Sequence, residues 1–286
     1  MSTRRMGAAA ATAALALTLA ACGSDAGDTG SGGSGSSGSG AAGASGLKVG
    51  IKFDQPGLGL KKGSEYTGFD VDVATYIAKE LGTDAANITW VQAPSAQRET
   101  LLSTGQVDMV VATYSITDAR KEKVSFAGPY FIAGQDLLVR ADDSSITGPD
   151  SLKGKKLCSV TGSTSAQKVK DAYPGVQLQE FATYSECLPA LANKGVDALT
   201  TDDTILAGFA SQPEYAGKFK VVGKPFSEEK YGIGLKKGDT ATCEKVNAAI
   251  TKMISDGAWQ KAIDDNLGPA NYKPGTGNPP TPAACS

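Results

Sequence analysis

The feature that most constrains this chain is the alternation of short apolar strands with amphipathic helices between residues 47 and 268. Residues 47–53 (LKVGIKF) alternate as a strand does, and residues 68–82 (GFDVDVATYIAKELG) carry apolar side chains at helical spacing. The same order of strand and helix recurs at 155–174 and at 196–212. It predicts an α/β architecture with largely parallel sheets, in which ligand sites lie at the carboxyl ends of the strands.

The same two periodicities assign the other elements of this region. Runs of alternating or continuous apolar residues predict strands, and apolar residues three and four positions apart predict helices. Further strands are predicted at 88–93, 107–113, 136–141, 176–182, 219–223 and 231–237, and further helices at 98–106, 185–195 and 240–268.

The first 22 residues have the pattern of an export signal. Arg4 and Arg5 precede an apolar run over 7–21, which is shorter than the ~20 residues that a membrane-spanning helix needs. The run ends in LAAC, which resembles a bacterial lipobox, with small residues before Cys22. We therefore predict a signal peptide over 1–21 and lipidation of Cys22. An ordinary signal peptide followed by an incidental cysteine is the alternative.

Segments rich in glycine, serine or proline flank the folded region. Residues 22–46 cannot bury enough apolar surface to order themselves, so they predict a flexible tether with an r.m.s. span of roughly 27 Å. Residues 273–286 form a second irregular segment, which contains a cysteine. A lipid and a tether would hold the folded part close to the extracellular face of the cell membrane.

Composition excludes several classes of chemistry. The chain has no histidine, which rules out Ser-His-Asp and Cys-His catalysis and histidine-based zinc sites. Lysine and arginine total 28 against 30 aspartates and glutamates, and the resulting net charge of −2 argues against a nucleic-acid partner. We expect no metal ion and no cofactor.

The cysteine count suits an exported protein in an oxidising setting. If Cys22 carries lipid, four of the five cysteines remain: Cys158, Cys187, Cys243 and Cys285. Four cysteines allow three pairings, and the residues alone do not choose among them.

Five motifs follow one another along the chain in a familiar order. They are GFDVDVATYIAKELG, SAQRETLLSTGQVDMVVATYSITDARKEKVSFAGPYF, LKGKKLCSVTGSTS, GVDALTTDD and YGIGLKKGD. Together they resemble the polar amino-acid binding proteins of ABC importers (solute-binding protein family 3), and the resemblance covers about residues 47–268. The start KVGIKFDQPGLGL looks most like the actinobacterial glutamate-binding lipoproteins of that family.

This resemblance implies a two-lobed periplasmic-binding-protein-like fold of type II with two crossover hinge strands. Lobe 1 would comprise 47–130 and 235–286, the latter with the C-terminal tail, and lobe 2 with the hinge strands would comprise 131–234. That layout places two cysteines in each lobe, and pairings between lobes would hinder closure. We therefore predict the disulfides Cys158–Cys187 and Cys243–Cys285.

The resemblance also implies a set of residues in lobe 1 for the α-carboxylate of an amino acid. Arg120, in SITDAR, would hold this carboxylate, because a guanidinium grips a carboxylate with two parallel hydrogen bonds. Ser115 would help to hold it, and the carbonyl of Thr113 would accept from the α-ammonium. The alternatives are a surface arginine and a turn that uses the hydroxyls locally.

Lobe 2 would complete the grip on the same groups. Ser163 and Thr164 open a helix directly after a strand, where free N–H groups attract an anion. Asp202, in LTTDD, would accept from the α-ammonium. Capping and turn formation are the alternatives for these residues, and capping is compatible with ligand binding.

The distal group of the ligand would meet residues from both lobes. Arg98 lies where acidic amino-acid binders of the family carry an arginine, and Ser95 matches a position three residues earlier. Lys52 and Gln55 follow the first strand, and Tyr184 in lobe 2 matches a position that can reach the same group. Two cations favour a carboxylate over an amide or an ammonium. The alternatives are surface positions for these side chains.

The sequence therefore predicts an extracellular solute-binding lipoprotein, anchored through Cys22, that delivers a polar amino acid to an ABC importer by lobe closure. L-Glutamate is the first choice, and aspartate, glutamine and asparagine stay open. The partners would be the permease and ATPase subunits, the protein would be a monomer, and it would not be an enzyme. A dehydratase-like enzyme on the same fold, with Asp202 and Tyr184 as its acid–base pair, and a sensory module are the alternatives.

Overall fold

The computed structural model describes residues 46–285. The predicted signal peptide, the lipidation site at Cys22 and the tether up to residue 45 lie outside the described residues. Within the described part of the chain, no helix combines the length and the apolar character needed to cross a membrane.

The described residues form thirteen strands and eight α-helices. The strands are β1 (Leu47–Ile51), β2 (Asp54–Gln55), β3 (Gly59–Lys62), β4 (Glu65–Thr67), β5 (Ile88–Gln92), β6 (Met109–Val110), β7 (Val124–Ala133), β8 (Gln135–Arg140), β9 (Lys156–Val160), β10 (Gln177–Phe181), β11 (Ala198–Asp202), β12 (Phe219–Val221) and β13 (Glu229–Lys236). The helices are α1 (Phe69–Glu80), α2 (Arg98–Ser103), α3 (Asp118–Lys121), α4 (Thr164–Ala172), α5 (Cys187–Ala192), α6 (Asp203–Ala210), α7 (Thr240–Ser255) and α8 (Ala258–Leu267).

Two five-stranded sheets define two lobes, as the sequence predicts. Lobe 1 is built around the sheet β5-β1-β6-β13-β7, and lobe 2 around the sheet β10-β9-β11-β8-β12. In each sheet three neighbouring strands are parallel, a fourth pairs antiparallel with the third, and the fifth is antiparallel to the fourth and so runs in the same direction as the first three. The expectation of largely parallel sheets therefore holds for four of the five strands, and the exceptions are β13 in lobe 1 and β8 in lobe 2. The antiparallel strands are the ones that carry the chain into and out of lobe 2.

The two crossovers lie side by side. Strand β7 ends at Ala133 and, after Gly134 alone, β8 begins the second sheet. Strand β13 returns antiparallel to β7 along its whole length, with an irregularity between Tyr231 and Ile233. The predicted lobe boundaries at 130/131 and 234/235 fall inside these two strands. The residue pattern alone did not predict β7, because a proline within an apolar run argues against a strand, and only the family resemblance implied a crossover strand here.

Three other elements differ from the sequence predictions. The predicted helix over 240–268 is two helices, because Gly257 adopts a left-handed conformation (φ +80°) between α7 and α8. The predicted strand over 107–113 pairs only at Met109 and Val110, since the chain leaves the sheet after them. The loop after β1 contains a small three-stranded sheet, β2-β3-β4.

The apolar stripe of α1 explains why lobe 1 folds around its sheet. Val73 and Ile77 are fully buried, and Phe69 packs edge-on against Trp259 of α8 with 5.9 Å between ring centroids. Burying one such side chain stabilises the fold by about 1.5–3 kcal/mol. This packing fixes the first turn of α1, which contains Asp70, against the sheet of lobe 1.

Both predicted disulfides are present. Cys158–Cys187 joins β9 to the start of α5, and Cys243–Cys285 joins α7 to the C-terminal tail. The tail also pairs with the crossover strand β7, because Ala283 N donates to the carbonyl oxygen of Gly128 at 2.8 Å. The second disulfide therefore secures a segment that lies against a crossover.

We expect each disulfide to stabilise the protein by limiting the unfolded chain. The loops that they close span 29 and 42 residues, for which the chain-entropy model gives about 4 kcal/mol each. The pairwise variants Cys158→Ser/Cys187→Ser and Cys243→Ser/Cys285→Ser should each lower the free energy of unfolding by that amount in guanidinium titrations. Free energies equal to that of the wild type would contradict the prediction.

Candidate functional site

The candidate residues converge where the two lobes meet. In lobe 1 they follow the carboxyl ends of β1, β5 and β6, and in lobe 2 they follow those of β9, β10 and β11. The two lobes touch across this junction. A Cβ atom on Gly162 of lobe 2 would lie 2.8 Å from Cα of Ala96 in lobe 1, and Ser185 N donates to Asp54 Oδ2 at 3.2 Å. The structure is therefore the closed arrangement of the two lobes.

Lys52, Ser95 and Arg98 form one buried cluster in lobe 1. Lys52 Nζ donates to Ser95 Oγ at 2.8 Å, and Arg98 Nε donates to the carbonyl oxygen of Ser95 at 3.3 Å. Each of the three side chains is less than 5% exposed. Burial, and after it the charge of Arg98, lowers the pKa of Lys52 to about 7. Lys52 and Arg98 are therefore buried, and the alternative that they lie on the surface is wrong.

Main-chain carbonyl oxygens of lobe 1 hold the Arg98 guanidinium. Its Nη1 donates to the carbonyl oxygens of Ala112 at 3.1 Å and Thr113 at 3.4 Å. Burial and the nearby Arg120 lower the pKa of the guanidinium to about 10, so it stays charged at neutral pH. No hydrogen bond within residues 46–285 uses Nη2, which leaves one edge of the guanidinium able to donate to an anion.

Arg120 bridges the lobes. Its Nη1 donates to the carbonyl oxygen of Ser115 at 2.7 Å, and its Nη2 donates to that of Gly162 in lobe 2 at 3.1 Å. Its Nε lies 3.6 Å from Glu99 Oε1. The side chain is buried rather than part of a surface run of charge.

Ser163 and Thr164 stand opposite Ser115 at the start of α4. The hydroxyls of Ser115 and Thr164 lie 3.3 Å apart across the junction. Ser163 caps the helix, because its Oγ accepts from Ala166 N at 3.0 Å. The positive end of the helix dipole therefore faces lobe 1. Capping uses the hydroxyl of Ser163, whereas that of Thr164 faces Ser115.

Asp202 is buried at the end of β11. Its Oδ2 accepts from the Tyr231 hydroxyl at 2.6 Å, and its Oδ1 has no partner in the described part of the chain. Burial, and then the neighbouring carboxylate of Glu229, raises the pKa of Asp202 well above its usual range. A cation placed at Oδ1 would satisfy this carboxyl group and favour its ionised form.

Tyr184 and Gln55 are also buried here. Burial and the charge of Asp202 raise the pKa of Tyr184, so it remains a neutral hydroxyl. The Thr113 hydroxyl lies 3.2 Å from Gln55 Oε1, while Gln55 Nε2 has no partner among residues 46–285. Both side chains offer a hydrogen bond rather than a charge.

Three further residues of this junction were not among the candidates from the sequence. Asp70 accepts from Tyr130 OH at 2.6 Å and from Thr113 N at 3.0 Å, and burial raises its pKa to about 6. Asp70 lies one helical turn before Ala74, on the buried face of α1. A carboxylate on the apolar face of a predicted helix is the sequence signal that could have identified it. Glu99 and Tyr114 touch the arginines, but their contact forms only in the folded chain.

The charges of the site are unequal. Lys52, Arg98 and Arg120 bring three cations, while Asp70 already accepts two hydrogen bonds from the protein and Asp202 has one free oxygen. Unpaired buried charge is costly. The arrangement suits a ligand that carries more than one anionic group and one cationic group.

The chain belongs to the bacterial extracellular solute-binding proteins, family 3. The model of that family matches residues 47–269, which is most of the described chain. The class of protein that fold and site define is thus a two-lobed receptor for a small solute.

One curated protein and two solved structures show what kinds of binding protein this chain is similar to. The chain is 48% identical over 269 residues to a protein named glutamate-binding protein GluB from Corynebacterium glutamicum, covering 90% of this chain and 88% of that protein. It is similar to the structure of an ancestral arginine-binding protein bound to glutamine (TM-score 0.72, 36% identity, 78% and 97% of the two chains). It is also similar to that of the ancestral amino acid-binding protein AncCDT-1, a precursor of cyclohexadienyl dehydratase (TM-score 0.70, 30% identity, 77% and 94%).

We expect Gly162→Ala to weaken solute binding by opposing closure. The new Cβ would meet the main chain at 2.8 Å, at a φ of +76°, so the lobes would have to part. A panel of polar amino acids titrated by calorimetry should show the best ligand bound about 10-fold or more weakly.

Gly154→Ala is the matched control for that variant. Gly154 lies in the same lobe at φ +77°, with nothing within 4 Å of a Cβ atom. It should therefore share the backbone strain but keep the wild-type affinity. Equal affinities for both variants would show that the close approach of Gly162 to Ala96 does not limit binding.

Proposed function

We propose that this protein binds L-glutamate and delivers it to an ABC importer. The observation that carries the proposal is the excess of buried cations, Lys52, Arg98 and Arg120, over free carboxylate oxygens. L-Glutamate supplies two carboxylates and one ammonium. The similarity to a protein named for glutamate binding supports the same choice.

The proposed pose assigns each group of the ligand to one part of the site. The α-carboxylate binds Arg120 and Ser115 from lobe 1 and the start of α4, at Ser163 and Thr164, from lobe 2. The contact of Arg120 with Gly162 supports this assignment, because it sets the guanidinium beside that helix start.

The α-ammonium binds Asp202 and the carbonyl oxygen of Thr113. The free Oδ1 of Asp202 supports this assignment, since a buried carboxylate oxygen without a partner is rare. The ligand's positive charge would offset the burial that disfavours the ionised carboxylate.

The distal carboxylate binds Arg98 and Lys52, with Ser95, Gln55 and Tyr184 as neighbours. The free edge of Arg98 supports this part of the pose. A glutamine amide would place its NH₂ group against these cations. An arginine or lysine ligand would meet direct repulsion.

We further propose that the protein acts as a lipid-anchored, monomeric receptor rather than as an enzyme. The two lobes would move about the crossovers in β7 and β13, and the closed liganded form would be the one that a permease recognises. Cys22, outside the described residues, would carry the lipid. Asp202 and Tyr184 would serve binding and not proton transfer, so the solute would leave unchanged.

Arg98→Ala tests the assignment of the distal carboxylate. Residues 47–286, freed of bound ligand, are titrated by calorimetry with L-Glu, L-Asp, L-Gln, L-Asn, L-Arg and L-His. The wild type should bind L-Glu most tightly. The variant should lose roughly 100-fold in affinity for L-Glu and much less for L-Gln, because a charge-assisted pair is worth about 1.5–3 kcal/mol.

Arg140→Ala is the control. Arg140 is a part-buried arginine of lobe 2 that also donates to carbonyl oxygens and lies beside Asp143, far along the chain from the site. It should leave the ligand preference unchanged. Tighter wild-type binding of L-Gln or L-Arg would refute glutamate as the ligand, and NMR evidence of altered glutamate after incubation would favour the enzyme.

The affinity for L-glutamate should fall as pH rises above 7. The pKa of Lys52 is lowered to about 7 by burial and the charges of Arg98 and Arg120, against the opposing effect of Asp54 and Asp70. An anionic ligand raises this pKa, so binding takes up a proton when Lys52 is neutral beforehand. Affinity should drop about 5-fold from pH 7 to pH 8.

Calorimetry in two buffers of different ionisation enthalpy measures the proton uptake directly. Lys52→Arg serves as the control, because its guanidinium stays charged across this range and should take up no proton. A pH-independent wild-type affinity between pH 7 and 8, or equal uptake by the variant, would contradict the assignment of Lys52.

A further inference from the structure

We propose that Tyr114 is a positioning residue that holds both Arg98 and Arg120 in place. This inference rests on the proposed function, because it concerns how the two guanidinium groups reach the ligand's two carboxylates. It concerns the ring of Tyr114, which the pose above does not use.

Both arginines lie against the same aromatic ring. Cζ of Arg98 is 4.1 Å from the Tyr114 ring centroid, and Cζ of Arg120 is 4.9 Å from it. Both distances are within the ~6 Å at which a cation is attracted to an aromatic face. Tyr114 is fully buried, so this attraction acts away from water.

Two buried guanidinium groups repel each other, and the protein must offset that repulsion before any ligand arrives. The charge of Arg120 already lowers the pKa of Arg98. The ring face carries partial negative charge and is also flat, so it attracts both groups and sets the plane in which each can lie.

The hydroxyl end of the ring is held by Glu99. Its hydroxyl donates to Glu99 Oε1 at 2.7 Å, the oxygen that also lies 3.6 Å from Arg120 Nε. The rings of Tyr114 and Phe126 form a T-shaped pair, with 4.8 Å between centroids. At Gly234 a Cβ atom would come within 2.8 Å of Tyr114 Cε1, so only a glycine leaves room for the ring.

The ring and the hydroxyl therefore have separable tasks. The ring contacts both cations, whereas the hydroxyl reaches only Arg120, and only through Glu99. A phenylalanine at this position would keep the ring, and a leucine would keep an apolar core residue without it. That difference separates positioning from core packing.

The experiment compares Tyr114→Phe, Tyr114→Leu and Phe126→Leu with the wild type, using L-glutamate and L-glutamine in calorimetry and thermal unfolding. We expect Tyr114→Leu to lose roughly 30-fold in glutamate affinity, the change expected for one desolvated cation–π contact. The loss for glutamine should be smaller, so the ratio of the two affinities should fall. Tyr114→Phe should retain that ratio and come within about 3-fold of the wild-type affinity.

Phe126→Leu is the structural control, because it removes a neighbouring ring of the same apolar cluster. It should lower the unfolding temperature as Tyr114→Leu does, yet keep the wild-type ratio. The proposal is overturned if Tyr114→Leu keeps the wild-type ratio of glutamate to glutamine affinity, or if Phe126→Leu changes that ratio equally. It is also overturned if Tyr114→Phe does not retain the ratio.

The test separates this inference from the proposed function. If the wild type prefers glutamine, glutamate as the natural ligand is refuted. The role of Tyr114 is still decided, because the ratio of the two affinities either changes only when the ring is lost or does not.

Discussion

The arrangement of this site depends on the repulsion among three buried cations, Lys52, Arg98 and Arg120. Buried like charges are tolerated only where other groups compensate for lost water and for each other. Here the compensation comes mainly from neutral oxygens and an aromatic face. Arg98 donates to the carbonyls of Ser95, Ala112 and Thr113, and Arg120 donates to those of Ser115 and Gly162. These carbonyl contacts orient the guanidinium groups without neutralising them, and the one carboxylate paired with them, that of Glu99, lies at Nε of Arg120.

That requirement explains the local backbone. The oxygens at 112, 113 and 115 can turn towards the arginines only because the chain leaves the sheet after β6. Thr113 takes a left-handed conformation, with φ 47°, at this departure. Such a conformation costs a threonine roughly 1–2 kcal/mol, and the surroundings must stabilise it. Asp70 does so by accepting from Thr113 N, while Tyr130 holds the other oxygen of the same carboxylate. Helix α1, β6 and the crossover strand β7 thus meet at one residue.

These contacts also show which parts of the fold and the site could be predicted from the sequence. Periodicity predicted the strands and helices, and the family resemblance carried by the motif order implied the two lobes and a junction that contains Lys52, Arg98, Arg120 and Asp202. Local patterns could not predict Tyr114 or Glu99, because their contacts with the arginines cross separate elements and have no periodicity. The shortness of β6 escaped for a related reason: VDMVVAT is apolar throughout, but its last residues serve the arginines instead of the ladder. Strand β7 escaped because Pro129 argues against a strand locally, although tertiary pairing with β13 overrides it.

Charge also links the site to lobe closure. Closing the lobes without a ligand brings Arg120 to the start of α4 and removes water from buried basic groups, of which only Arg120 lies beside a carboxylate, that of Glu99. A closed protein with its ligand gains the missing anionic groups at the same step. A ligand shifts a conformational balance only by its greater affinity for one state. On the proposed function, the difference is largest for a solute with two carboxylates, because each one offsets charge that closure buries. Selectivity and closure then have one physical origin, and a neutral distal group would bind while favouring the closed form less.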